Sequence, residues 1–144
     1  FRGLVPKYLQ EKNFKNIKFL VHDMEKPFKK DKFDLAVAFD VIEHLPSPEV
    51  GIRNVHNLLR KNGVAIFTTP NDYSHVYNDP THISVKKPRE WVRILKKVGF
   101  QNISVKQVAL VPYFYRWHQR LAFVFPFEVN FKYIISPVIL IARK

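Results

Sequence analysis

The chain has 144 residues, of which 47% are hydrophobic and 25% are charged, and its formal net charge is +12 at pH 7. This composition excludes a disordered tail and suits one domain, because the chain has enough apolar surface to build a single core. The absence of cysteine excludes disulfides and thiolate metal sites.

No signal peptide is expected, since no apolar run preceded by basic residues stands at the start of the chain. The most apolar segment, 133–142, has about half of the ~20 residues that a helix needs to cross a bilayer. We therefore expect no transmembrane segment and a cytoplasmic location.

The first third of the chain predicts the end of a helix over 3–12, followed by a strand. Residues 17–21 alternate between apolar and polar side chains, as a half-buried strand does, and Asp23 follows them. The short apolar run 33–39 is typical of a central strand, with Asp40 at its carboxyl end.

The middle of the chain predicts a helix and then a strand. Residues 47–49, Ser-Pro-Glu, combine a capping side chain, a proline at the first helical position and an acid near the positive end of the helix dipole. Two basic residues and Asn-Gly at 60–63 supply stop signals. The β-branched run 64–69 predicts a buried strand.

Residues 71–87 show no periodicity, which favours a binding loop. Pro88 begins a second helix and Gly99 ends it. Strands are predicted from Ile103 to Val105, extending toward Val108, and over 138–142. The helix carries an apolar stripe made of Trp91, Ile94, Leu95 and Val98.

The segment from about 109 to 132 is rich in aromatic and basic side chains and predicts an insertion or cap before the last strand. Packing over the sheet is the favoured interpretation. An interfacial surface for a lipid-linked substrate, with peripheral membrane contact, is the alternative.

The alternation of strands and helices predicts an α/β fold with a doubly wound, mainly parallel sheet. Ligands of such sheets bind beyond the carboxyl ends of the strands. Asp23, Asp40 and Asn71 each follow a predicted strand, so we expect a ligand site at that edge.

Residues 33–45, Phe-Asp-Leu-Ala-Val-Ala-Phe-Asp-Val-Ile-Glu-His-Leu, resemble the fourth-strand motif of class I S-adenosylmethionine-dependent methyltransferases. Residues 63–67, Gly-Val-Ala-Ile-Phe, resemble the fifth strand of that family. The resemblance implies a Rossmann-like fold over 1–144, with S-adenosyl-L-methionine as cofactor, and it weakens only over 113–131.

The family's glycine loop after the first strand and its acid after the second strand have no counterpart in this chain. The resemblance therefore implies an N-terminally truncated domain, with both features before Phe1. By itself such a chain is expected to bind the cofactor poorly or not at all.

The resemblance also implies cofactor-binding roles for five residues. Asp23 would accept a hydrogen bond from the adenine amino group, although an aspartate after a strand is more often a turn or cap residue. Met24 would pack on the adenine ring. Phe39, Asp40 and Val41 would line the methionine part of the cofactor.

On the substrate side, His44 is the candidate general base and Glu43 would orient His44 or bind substrate. The alternatives are a capping histidine and a solvated carboxylate. Asn71, Tyr77 and His82, in the aperiodic loop, are candidate substrate-binding residues.

Asp40, Glu43, His44 and His82 form a candidate metal set, since carboxylates and imidazoles suit divalent ions. The set resembles the metal motif of methyltransferases that modify the 2′-hydroxyl at small-RNA 3′ ends. Those enzymes have glutamate where this chain has Asp40, so the sequence favours a site without metal.

The favoured function is methyl transfer to a small metabolite, sugar or lipid-linked acceptor. The alternatives are a non-catalytic truncated methyltransferase fold and an RNA-binding or RNA 2′-O-methylating protein. Positive charge accumulates after Glu90, where Glu128 is the only acid, but this is a weak argument for a nucleic-acid partner. No feature of the sequence indicates an oligomeric state.

Overall fold

The computed structural model describes residues 17–29, 32–111, 123–127 and 136–144. Short 3-10 turns occupy Ile42–His44 and Ser74–Asn78. The helices and strands within the described ranges are β1 (Phe33–Phe39), α1 (Pro48–Leu58), β2 (Leu59–Pro70), α2 (Pro88–Val98), β3 (Gln101–Gln107), β4 (Ala109–Val111), β5 (Phe123–Phe125) and β6 (Pro137–Arg143).

Four strands form one sheet in the order β1-β2-β6-β3. Strand β1 is parallel to β2, whereas β6 is antiparallel to both β2 and β3. The sheet is therefore mixed, and the prediction of a mainly parallel sheet was wrong. The last strand, β6, lies between β2 and β3 and runs antiparallel to both. The direction of a strand depends on the path of the connecting chain, so its own apolar pattern does not predict it.

The core lies between this sheet and the two helices. Alternate residues of β2 and β6 point into it, among them Phe67 and Leu140, which are fully buried. Ile52 of α1 and Trp91 of α2 cover them from the helical side. Burying a large apolar side chain contributes roughly 1.5–3 kcal/mol, so this layer supplies most of the stabilisation that holds the sheet and helices together.

The strand predicted over 17–21 was wrong. The structure shows no regular element from 17 to 23, and the side chains of Phe19 and Val21 are exposed. Alternation alone does not make a strand, because the backbone groups also need a neighbouring strand, and none pairs with this segment among the described residues. The helix predicted over 3–12 lies outside the described residues.

Helix α1 begins where the sequence predicts and ends earlier. Ser47 is the N-cap residue, but its side chain makes no capping hydrogen bond, and its backbone N–H donates to the carboxylate of Glu25. Residues 60–63 do not end the helix; they belong to β2. Backbone hydrogen bonds between this segment and Lys144 extend the strand, an interaction with a distant part of the chain.

The structure confirms both predicted ends of the second helix, α2. It begins at Pro88, and Gly99 follows it in the left-handed conformation, with φ of +113°. Trp91, Leu95 and Val98 are buried, as the apolar stripe predicts.

The two strands after α2 are also confirmed. The predicted strand at Ile103 and Val105 is β3, which ends one residue before Val108, and the predicted last strand is β6.

Only part of the predicted insertion at about 109–132 is described. Strands β4 and β5 pair antiparallel as a separate two-stranded sheet. Residues 112–122 and 128–132 lie outside the described residues. No helix in the described part of the chain is both long and apolar enough to cross a membrane.

We expect Gly99→Ala to lower the free energy of unfolding by roughly 1–2 kcal/mol, because an alanine is strained in the left-handed region. Space is not the constraint, since an added Cβ would lie 3.4 Å from His56 Nε2. Gly99→Asn should lose less, as asparagine tolerates this conformation. Urea denaturation measures both variants, and an alanine variant as stable as the parent would contradict the argument.

Candidate functional site

The candidate site lies at the carboxyl ends of β1 and β2. These strands are parallel neighbours in register, so the residues that follow them emerge at the same edge of the sheet. Asp40 follows β1 and Asn71 follows β2. The 3-10 turn Ile42–His44 stands between them in the chain.

Asp40 sits at a tight corner after β1. Its φ is +49°, a region that few residues other than glycine adopt. Its N–H donates to the Thr68 carbonyl at 3.1 Å, and its carboxylate accepts from the Thr68 hydroxyl at 2.9 Å. Asp40 is therefore bound to the end of β2, and its side chain remains exposed.

Glu43 is fully buried, with 0% of its surface exposed. Neither carboxylate oxygen accepts a hydrogen bond of good geometry from the described residues, and the nearby buried hydroxyl of Thr69 is also unpaired. Burial raises the pKa of Glu43 above its ordinary value. Glu43 is thus not a solvated carboxylate, and a buried carboxylate without a hydrogen bond from the described residues is a feature that sites often show and cores avoid.

His44 and His82 face each other, with ring centroids 4.8 Å apart. His44 Nδ1 lies 2.9 Å from the Thr81 carbonyl oxygen, and His82 Nδ1 lies 2.8 Å from the Val76 carbonyl oxygen. A carbonyl only accepts, so each Nδ1 donates its proton. In the neutral rings, each Nε2 then keeps its lone pair.

Glu43, His44 and His82 form a compact cluster. One donor atom from each residue lies within 4.8 Å of the others. His44 Nε2 is 3.9 Å from the Glu43 carboxylate. Asp40, the fourth member predicted from the sequence, is not part of the cluster.

A cleft of about 550 Å³ adjoins the cluster through His82. Asn71 is on its wall and is almost fully buried, with its side-chain amide donating to the Tyr73 hydroxyl at 3.1 Å. The lining residues are Pro70, Asn71, Tyr73, Val76, Asn78, Asp79, Pro80, His82 and Ser136.

Two of the three predicted substrate residues, Asn71 and His82, therefore reach this cleft. Tyr77 is not on its wall: its side chain is exposed, and its hydroxyl donates to Asp72 at 2.6 Å, which raises the pKa of Tyr77. Tyr73 and Asp79 do line the cleft but were not selected from the sequence. In the sequence, the one indication that Tyr73 and Asp79 could line a site is that both lie in the aperiodic loop 71–87.

The predicted cofactor residues fall on two segments. Phe39 and Asp40 are exposed at the end of β1, and Val41 is partly buried beside them. Asp23 occupies a turn in which its Oδ1 accepts the N–H of Glu25 at 3.0 Å, the local role that this residue type favours.

Met24 is partly buried and packs against the core beside α1. A Cβ added at Gly51 would lie 3.4 Å from its side chain. Met24 also borders a second hollow of about 270 Å³, lined mainly by apolar side chains. Its contact with an adenine ring stays a prediction.

Comparison with known proteins gives the family. Residues 4–105 match the model of a family described as a methyltransferase domain. A curated relative, the chloroplastic 2-methyl-6-phytyl-1,4-hydroquinone methyltransferase 2 of Oryza sativa subsp. japonica, is 32% identical over 98 residues. That match takes in 65% of this chain and 27% of the rice protein, so the chain spans about a quarter of the relative's length.

Solved structures show the same fold at low identity. An S-adenosylmethionine-dependent methyltransferase from Archaeoglobus fulgidus matches with a TM-score of 0.64 and 14% identity, over 96% of this chain and 72% of that one. The N-methyltransferase NodS from Bradyrhizobium japonicum WM9, solved with S-adenosyl-L-homocysteine, matches with a TM-score of 0.63 and 15% identity. That match covers 94% of this chain and 58% of NodS. The Rossmann-like methyltransferase fold is thus confirmed, and since the family match spans well over half of the sequence, the chain belongs to the methyltransferase domain family.

Proposed function

We propose that the full protein is an S-adenosylmethionine-dependent methyltransferase that acts on a small-molecule or lipid-linked acceptor. The observation that carries this proposal is the position of His44. Its Nε2 is free of the backbone, it belongs to a cluster with Glu43, and its neighbour His82 opens into the cleft. Family membership supplies the reaction class, and the cluster supplies a base beside a binding space.

For the cofactor, we propose the residues at the carboxyl end of β1 and those in the turn at Asp23. Phe39 offers an exposed aromatic face at the end of β1, with Asp40 and Val41 next to it. Asp23 fits a hydrogen-bond donor such as an adenine amino group, because it is exposed and its Oδ2 lies 3.8 Å from the exposed ammonium of Lys26, too far for a hydrogen bond. Met24 is proposed to lie near the same ring.

The chemistry that the protein must supply is modest. When bound, S-adenosylmethionine presents a methyl group on a sulfonium, which is a good leaving group. The residues then have to orient the acceptor and remove a proton from its hydroxyl or amine. Covalent catalysis by a side chain is not required.

His44 is proposed as the group that accepts this proton. Its Nε2 takes the proton while the Thr81 carbonyl holds Nδ1–H, so the ring keeps one orientation through the reaction. The carboxylate of Glu43, 3.9 Å away in a buried setting, stabilises the resulting imidazolium. Glu43 is therefore proposed as a positioning residue for His44.

The cleft supports an acceptor with an apolar part. Pro70, Tyr73, Val76 and Pro80 contribute apolar surface to its lining, while Asn71 and His82 contribute polar groups. Pockets of this kind bind an apolar body and orient it with a few polar contacts. The name of the rice relative, a methyltransferase for a phytyl-bearing hydroquinone, agrees with an acceptor of this chemical class.

We expect His44→Ala to lower kcat by roughly 10²–10⁴-fold, the usual contribution of a general base, while affinity for S-adenosylhomocysteine stays unchanged. Asp23→Ala should instead weaken cofactor affinity by about 10-fold, through loss of one hydrogen bond. Calorimetry with S-adenosylhomocysteine and turnover with a panel of phenols and amines measure the two effects in the full protein.

Asp34→Ala provides the control for Asp23, since Asp34 is also exposed and its carboxylate pairs with Arg60, at 2.6 Å. Added imidazole should partly restore turnover in the His44 variant. Equal losses of cofactor affinity in the Asp23 and His44 variants would contradict this division of roles.

We expect Glu43→Gln to raise the free energy of unfolding by about 1 kcal/mol or more, because it removes a buried charge that has no hydrogen-bond partner. The same change should lower kcat, since the imidazolium loses its counter-charge. Urea denaturation in EDTA, which removes any bound cation, measures the stability.

Glu49→Gln provides the contrast, because Glu49 is bonded to Lys97 and Arg53 at 2.8 Å. Its loss should lower stability slightly, as for exposed ion pairs. If both glutamine variants lose stability, the burial argument for Glu43 is incorrect.

A further inference from the structure

We propose that Glu43, His44 and His82 bind one divalent transition-metal ion through a carboxylate and two imidazoles, with Zn²⁺ as the best-suited ion. The site adjoins the proposed acceptor cleft, but the inference does not require that methyl transfer occurs. An ion bound to His44 Nε2 occupies the lone pair that would take the acceptor's proton, so His44 can act as general base only while the ion is absent. The sequence predicts a site without metal, because Asp40 is shorter than the glutamate that the RNA-modifying enzymes have at that position. In the structure Asp40 is bonded to Thr68, and the remaining three residues converge without it.

The first argument is convergence from distant parts of the chain. His82 comes from the loop after β2, whereas Glu43 and His44 come from the turn after β1. A backbone hydrogen bond from Ser84 N–H to the Glu43 carbonyl, 2.8 Å long, ties that loop to the turn. The donor atoms of the three side chains are thereby brought within 4.8 Å of one another.

The second argument is the state of the imidazoles. Metal-binding histidines commonly donate their other ring N–H to a carbonyl or carboxylate, which fixes the tautomer and the ring orientation. Both rings show this arrangement, His44 with Thr81 and His82 with Val76. In the neutral rings each Nε2 therefore keeps a lone pair that can bind an ion, and His82 Nε2 also lies 3.9 Å from the exposed Asp79 carboxylate.

The third argument is the unpaired carboxylate of Glu43. Buried side-chain oxygens almost always meet a partner, so two unpaired oxygens on one fully buried side chain call for a cation, a proton or a water. A divalent ion held also by two imidazoles satisfies the charge as well as the lone pairs. This observation is independent of the spacing of the ligands.

The donor set selects the kind of ion. Two imidazoles and one carboxylate suit Zn²⁺ and related transition metals, and three protein ligands leave a coordination position open. Mg²⁺ prefers an all-oxygen octahedral shell and is disfavoured here. Since His82 also lines the cleft, the open position lies next to the space proposed for the acceptor.

The test is a Co²⁺ titration of the full protein with any histidine tag removed. We expect one Co²⁺ per chain, with visible d–d absorption that Zn²⁺ abolishes and an equal concentration of Mg²⁺ does not. Glu43→Gln and His82→Gln should each weaken Co²⁺ binding by about 10- to 100-fold or more. The matched control is His22→Gln, which should bind Co²⁺ as the parent does, since His22 is exposed and lies outside the cluster, with its ring against the Lys26 carbonyl and Phe28.

An NMR measurement on the wild-type protein does not depend on whether the variants fold. Zn²⁺, which is diamagnetic and so perturbs only nearby nuclei, should shift the ring-proton NMR signals of His44 and His82 and leave those of His22 unchanged. Absence of a saturable one-to-one complex, equal affinity of the His82 and His22 variants, or displacement by equimolar Mg²⁺ would overturn the inference.

Calorimetry with S-adenosylhomocysteine on the same sample separates the two proposals. Cofactor binding without Co²⁺ binding would refute the metal site and leave the proposed function standing. Co²⁺ binding without cofactor binding would support the metal site and refute the proposed function.

Discussion

The site depends on the parallel pairing of β1 with β2. This register sets Phe39 opposite Thr68, so both strands end at the same edge and the chain leaves the sheet there. The hydrogen bonds between Asp40 and Thr68 then force a sharp corner with positive φ. The turn Ile42–His44 follows from that corner, and its position places one carboxylate and one imidazole at the edge of the sheet.

The loop after β2 completes the cluster through backbone contacts. Ser84 donates to the Glu43 carbonyl, and the Thr81 carbonyl accepts from the His44 ring, so the loop that carries His82 is held against the turn. Glu43 lies beneath this junction as a buried charge, which costs stability. A native protein tolerates such a cost most often at a functional site, where the strained or buried group takes part in the mechanism.

Local signals predicted the elements whose ends are set by local physics. Helix α2 begins at Pro88 and ends before Gly99, because proline fixes the first turn and glycine adopts the left-handed cap without strain. Elements that depend on distant partners were predicted less well. Residues 17–21 have the strand alternation but no pairing strand, and residues 60–63 join β2 because Lys144 extends its pairing.

The sequence by itself determined that Glu43 and His44 follow a strand and that Asn71 and His82 belong to an aperiodic loop after the next strand, because strand ends and loops depend on local residue patterns. Only the tertiary structure decided that Asp40 lies outside the cluster and that Glu43 is fully buried. Burial and hydrogen-bond partners depend on residues tens of positions away, whose approach is set by strand register and loop path. The chemistry of the site follows from these distant contacts.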